Sequence, residues 1–120
     1  MDYNRYTVNE GENNNQPKGT VIIYGFLQKK SKYIHLWKTR FFILTDHYLF
    51  AFTGIENDAD CTMALALTSV ISVDETECNK NNKKGFVIRS ISNNYFLRAD
   101  EHVVNKWIKK IKENINQKNK

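Results

Sequence analysis

The run WKTRFFILTDHYLFAF, residues 37–52, decides how the chain folds. Two stretches rich in aromatic and branched residues flank Asp46-His47, a tight turn between two strands. Side chains alternate between the faces of a strand, so Lys38, Arg40, Phe42 and Leu44 share one face. Two cations followed by two apolar residues would be odd on a flat sheet. They suit a barrel whose strand starts at a wet mouth and runs into a dry interior. Lys38 and Arg40 then sit on the rim, and Phe42 and Leu44 fill the inside.

The pattern extends in both directions. Upstream, TVIIYGFLQKK is a strand with Gly25 as the expected bend or bulge, followed by the loop SKYIHL. Downstream, GIENDAD reads as a loop, CTMALAL and ISVDE as short strands, CNKNNKKG as a polar loop. FVIRSIS and YFLRA form a hairpin across Asn93 and Asn94. Seven short strands with turn signals between them predict a small sandwich or barrel. Then the period changes: Val104, Trp107, Ile108, Ile111 and Ile115 recur at helical spacing, with Lys106, Lys109, Lys110 and Lys112 off the stripe. Asp100 suits the N-cap and Glu101 the first turn. The apolar stripe needs a partner, and the open end of a barrel supplies one. The expected fold is mostly β with one helix: a seven-stranded, partly open antiparallel β-barrel or orthogonal sandwich capped by a C-terminal amphipathic helix. Residues 1–18, polar and rich in Asn, are expected as a disordered arm, 19–116 as the domain, and 117–120 as a disordered tail.

Charge is segregated along the chain. The net charge is +5 overall, but −2 over residues 1–17, +6 over 18–45, −7 over 46–77 and +8 over 78–120. If the basic segments meet in space, the molecule presents one strongly positive face to an anionic ligand. No run of about 18 apolar residues is present to span a membrane as a helix. The first residues lack the apolar core of a signal peptide, and Asp2 stands where myristoylation needs Gly. Cys61 and Cys78 show no metal-binding or redox spacing and are expected as reduced thiols. No nucleophile elbow, glycine-rich phosphate loop or metal-ligand cluster occurs, so neither catalysis, a cofactor nor a metal is expected.

As a set, YGFLQKK, WKTRFFILTDHYLFAF, YFLRADE and VNKWIKKI resemble a pleckstrin-homology (PH) domain over roughly residues 20–116. The resemblance implies that fold, with Trp107 as its buried helical tryptophan. Lys29, an eight-residue interval and Lys38-Thr39-Arg40-Phe41-Phe42 resemble the first hairpin of phosphoinositide-binding members of the protein kinase B type. This implies a headgroup site of Lys29, Lys38 and Arg40, supported by Lys30, Lys32 and His35. The chemistry fits: a phosphomonoester carries about −1.5 to −2 charges and three acceptor oxygens, for which Arg offers a planar fork and Lys a point charge. His35 would add charge at acid pH. At the loop tip, Tyr33 and Ile34, with Leu36, would dip into the membrane interface, or else fold back on the barrel. Lys80, Lys83 and Lys84 form a second basic loop, either an alternative lipid site or a solvated surface.

The function expected is a membrane-targeting module binding anionic phospholipid headgroups. Phosphoinositide is the first candidate; phosphatidic acid, as in the acylated PH-domain sensors of that lipid, is a close second. Such a module would be cytoplasmic and reversibly, peripherally bound to a membrane's cytoplasmic face. A protein-interaction or adaptor module of the same fold is the alternative. Basic–aromatic mixing also suits nucleic acid, but no nucleic-acid motif is present and none is expected to bind.

Overall fold

The computed structural model describes residues 19–33, 35–77 and 82–118. The expectations placed on residues 1–18, Ile34, Cys78, Lys80 and 119–120 fall outside these.

Seven strands are followed by one helix: β1 (Val21–Lys30), β2 (Trp37–Thr45), β3 (Tyr48–Phe52), β4 (Cys61–Ala66), a 3-10 turn (Leu67–Ser69), β5 (Val70–Thr76), β6 (Lys83–Ser90), β7 (Asn94–Asp100) and α1 (Glu101–Lys118). All strand pairs are antiparallel, in the order β4-β3-β2-β1-β7-β6-β5. The sheet is therefore two meanders joined where β1 meets β7. That seam is short: its register comprises Gln28 opposite Arg98 and Lys29 opposite Leu97.

The alternation in the sequence is realised as expected. Leu27, Phe42, Leu44, Leu49, Ala51 and Leu65 face inward into one core, which also takes Phe86, Ile88 and Leu97 from the second meander. The α1 stripe closes it: Val104, Trp107, Ile111 and Ile115 are all buried, and Trp107 meets Phe42 edge to face at 6.3 Å. The helix packs on β5, β6 and β7, the 3-10 turn and β1. Full burial of side chains this size stabilises by roughly 1.5–3 kcal/mol each, so the helix is held by its stripe rather than by intrinsic propensity.

Three expectations are corrected. The irregularity in β1 lies at Ile22, where the register against β2 slips between Val21 and Ile23; Gly25 pairs regularly with Phe42. Lys83 and Lys84 belong to β6 and not to a loop, because both pair with the end of β7. The helix runs to Lys118, two residues into the expected tail.

The outer face of β2 and β3 is also apolar. Phe41, Ile43, Phe50 and Phe52 form a second buried cluster, flanked by Val21, Tyr48 and Ala59. The continuous run Phe41–Thr45 is buried on both faces of the sheet, which is why strict alternation is lost there.

Candidate functional site

The first hairpin builds the site. Lys29 faces Lys38 directly across the β1–β2 ladder, and Leu27 faces Arg40. Leu27 belongs to the core, so Lys29, Lys38 and Arg40 lie on the inward face, beyond the point where the core ends. The rim-to-interior order expected along β2 is what the structure has: Lys38 is exposed, Arg40 half-buried, Phe42 and Leu44 fully buried. Like charges set opposite one another repel. An arrangement of that kind wastes stability unless an anion sits between them.

A cavity of about 160 Å³ lies there, lined by Lys29, Ser31, Lys32, Lys38, Arg40 and Thr62. Thr62 reaches it because β4 slips register between Met63 and Cys61, leaving Thr62 as the extra residue, its hydroxyl donating to the Ala51 carbonyl at 3.2 Å. The volume falls below the roughly 300 Å³ of an enclosing small-molecule pocket. It suits a phosphate group and part of what carries it.

Burial pushes the Lys29 ammonium below the usual lysine range, and the neighbouring Arg40 guanidinium pushes it further the same way. The Lys29 Nζ lies 5.7 Å from the centre of the Tyr95 ring, a cation–π contact from β7 across the seam. Arg40 donates to the Thr39 carbonyl at 3.1 Å. Among the described residues, no carboxylate pairs with Lys29, Lys30, Lys32, Lys38 or Arg40, whereas Lys83, Lys84, Arg89 and Lys110 each have one.

The loop between β1 and β2 is closed at its base by the Ser31 amide donating to the Leu36 carbonyl at 2.7 Å, and His35 takes the left-handed conformation at φ 55° that reverses the chain. Lys32 donates to Asn93 Oδ1 at 3.3 Å, tying the loop to the β6–β7 turn. Beside this contact opens a second cleft, lined by Lys29, Lys30, Lys32 and His35 and by Asn93–Phe96. The supporting bases therefore divide: Lys32 serves both clefts, while Lys30 and His35 serve only the second. Tyr33 is 83% exposed and Leu36 56%, so neither folds back on the barrel. Lys83 bonds Asp100 at 3.1 Å, and Lys84 bonds Glu75 and Asn105, both at 2.7 Å. Both sit at the end of β7 away from the hairpin loop, committed to partners of their own.

The sequence alone did not single out Ser31, Thr62, Tyr95 or Asn93, which reach the site through pairings that no local pattern encodes. It also gave no role to Arg98. Paired with Gln28, Arg98 lies on the opposite face from Lys29, stacked 4.1 Å above the Trp37 ring and donating to Gln28 Oε1 at 2.8 Å. It holds the base of β2 against β7 from outside. Its signal was a lone charge between two buried residues, Leu97 and Ala99, in YFLRA.

No helix among the described residues is long and apolar enough to cross a membrane. No group of three or more His, Cys, Asp or Glu that could hold a metal occurs among them.

The PH domain family matches residues 21–116. Among solved structures, the carboxyl-terminal PH domain of pleckstrin is 28% identical, with a TM-score of 0.70 over 82% of this chain and 99% of that one. The Slm1 PH domain, solved in complex with inositol 4-phosphate, is 25% identical, with a TM-score of 0.63 over 80% of this chain and 96% of that one. A structure of Vav1, 20% identical with a TM-score of 0.70 over 81% of this chain and 27% of that one, shares the fold. No curated protein matches the chain.

Proposed function

This chain belongs to the PH-domain family, and from that premise we propose that it is a membrane-targeting module. Its ligand is an anionic phospholipid headgroup, held in the cup of Lys29, Lys38 and Arg40. Phosphoinositide is the first candidate, supported by the Slm1 PH domain and its inositol 4-phosphate. Phosphatidic acid comes second, since its exposed monoester suits the same cup. The observation that carries the reading is the direct opposition of Lys29 and Lys38, with Arg40 beside them and no described carboxylate to neutralise the three. Folding tolerates that arrangement at a cost; a phosphate turns it into a gain.

Each group has a task. Arg40 offers a planar fork to two phosphate oxygens, and Lys29 and Lys38 add point charges from opposite strands. Lys32 closes the cup from the loop. Tyr33 and Leu36 stand clear of the barrel at the same end and enter the interface while the bases hold headgroups. The module acts by reversible peripheral attachment, since a single low-affinity contact does not anchor a protein permanently.

Liposome flotation tests the reading. Wild type and a Lys38→Ala/Arg40→Ala variant are compared on phosphatidic acid, phosphatidylserine and each phosphoinositide at matched surface charge. One preferred lipid, with binding reduced at least tenfold in the variant, is the expected result. Equal binding to all anionic lipids would reduce the cup to an electrostatic surface. No binding at all would leave the protein-interaction reading in its place. Competition by soluble inositol phosphates separates a phosphoinositide from phosphatidic acid.

A further inference from the structure

Two aliphatic hydroxyls line the cup, and they differ in what they can do. Thr62 already donates to the Ala51 carbonyl at 3.2 Å, and Asp58 and Asp60 stand just before it in sequence. Ser31 is the reverse case. Its amide closes the loop on the Leu36 carbonyl at 2.7 Å, but its hydroxyl has no hydrogen-bond partner among the described residues. It stands in QKKSKY, with Lys29 and Lys30 before it and Lys32 after it. With Lys29 and Lys32, it lines both the cup and the neighbouring cleft.

The position is reachable. The β1–β2 register ends at Lys30 opposite Trp37, so Ser31 is the first residue beyond the ladder, half-buried at the lip of the cup. One backbone bond closes the base of the loop, and the Lys32 contact with Asn93 ties it down from the side. A segment held by so few bonds opens locally at little cost. The surroundings also suit a new charge. A phosphoryl group on Ser31 Oγ brings about −1.5 to −2 charges and three acceptor oxygens. It would enter a cavity lined by Lys29, Lys32, Lys38 and Arg40, none of which has a carboxylate partner among the described residues. Turned the other way, it would meet Lys30 and His35 instead. The cup is the better seat, because Arg40 offers a planar fork there.

We propose that Ser31 is a phosphorylation site whose phosphate becomes the cup's own tethered occupant and excludes the headgroup. The inference rests on the reading of the cup as a phosphate site and deepens it by giving that site an off state. The step is a phosphoryl transfer from a nucleoside triphosphate. Ser31 Oγ attacks the γ-phosphorus, the bond from that phosphorus to the β–γ bridging oxygen breaks, the hydroxyl proton passes to the kinase's base, and nucleoside diphosphate leaves. The enzyme that fits is a protein kinase selecting acceptors flanked by basic residues, which Ser31 has and Thr62 lacks. Once formed, the tethered phosphate competes at an effective concentration on the order of millimolar. A single weakly held headgroup loses that competition, and the loop turns a less positive face to an anionic leaflet.

The test uses the full chain with phosphoserine installed at position 31 during synthesis, alone and combined with Lys38→Ala/Arg40→Ala. Phosphorus NMR follows the second ionisation of the phosphate, which lies near about 6 in a free phosphoserine. Seating among the cations should lower it by at least about one unit, and the double substitution should bring it back. Binding of a soluble inositol phosphate, by titration calorimetry, should fall at least tenfold on modification. In parallel, the unmodified chain and a Ser31→Ala variant are incubated with ATP and a panel of basic-site protein kinases, and mass spectrometry locates the phosphate. Incorporation at Ser31, lost in the variant, is the expected result. Three outcomes would overturn the proposal: no kinase of the panel modifies Ser31, the phosphoserine titrates near 6, or headgroup binding is undiminished by it. A lowered value that ignores Lys38 and Arg40 would do so too, since the phosphate would then occupy the second cleft. The two readings fail separately. An unmodified chain that binds no headgroup, with a phosphoserine still governed by Lys38 and Arg40, would remove the lipid reading and keep the modification site. Headgroup binding through the cup beside a normally titrating phosphoserine would remove only the modification site.

Discussion

Lys29 carries a cost in the free protein. Burial and Arg40 hold its ammonium below the usual lysine range, so between the lowered and the usual value the folded chain binds fewer protons there than the unfolded chain does. Stability attributable to this site accordingly rises with pH through that window, and the cost is fully present at neutral pH, where the group is charged in both states. An anion in the cup reverses the sign by favouring the charged form. Headgroup affinity should therefore decline at alkaline pH earlier than an ordinary lysine would dictate, and Lys29→Met should flatten that decline. The same substitution is expected to raise the Tm of the free protein by about 3 °C while abolishing headgroup selectivity. Calorimetry and flotation on one preparation check both; an unchanged or lowered Tm would mean that Lys29 is accommodated without penalty.

The hairpin loop is the element whose contribution separates membrane from headgroup. Tyr33 and Leu36 are exposed and apolar, but neither lines the cavity beneath Lys29 and Lys38. Tyr33→Ser/Leu36→Ser should thus weaken liposome binding roughly tenfold and leave binding of a soluble inositol phosphate, measured by titration calorimetry, unchanged. Equal loss in both assays would assign the loop to the headgroup instead. This element also shows what a sequence can and cannot carry. Strand periodicity placed Lys38 and Arg40 on the rim and Phe42 and Leu44 inside, because alternation is local. Helical spacing identified the α1 stripe for the same reason. Tyr95, Asn93 and Thr62 depend instead on the short β1–β7 register and on a one-residue slip in β4, neither of which leaves a local trace. Lys83 and Lys84 read as a loop because polar residues at a strand's start look like one; their carboxylate partners, Asp100 and Glu75, come from the flanking strands β7 and β5. Aromatics on both faces of β2 disguised the outer ladder as ordinary core.

For the molecule as a whole, charge segregation along the sequence does not become a clean division in space. Residues 46–77 carry seven acids and no Lys or Arg. Yet the β3–β4 loop, which carries Glu56, Asp58 and Asp60, joins the strands at the same end as the hairpin, since Phe52 pairs with Phe41 and Cys61 with Phe52. The mouth is thus bounded by cations on one side and acids on another. Such a mouth tempers attraction to any negative surface and leaves selection to the cup. Asp58→Asn/Asp60→Asn should raise binding to phosphatidylserine vesicles about fivefold at low salt and narrow the preference for the favoured lipid. No change in either would place those carboxylates beyond the reach of the bilayer.

The seam between β1 and β7 gives the barrel a line of least resistance. Two meanders, each continuously laddered, meet through two residue pairs at the point where Lys29 reaches over to Tyr95. Local opening of such a structure begins where the fewest backbone bonds must break. A phosphate drawn in by Lys29 and Lys32 would lie next to that join, with Asn93 of the opposite meander already bonded to Lys32. Occupancy would then work as a rivet. Docking on a membrane would slow the parting of the two halves, and amide exchange along Gln28–Lys30 and 94–98 would report attachment from inside the sheet.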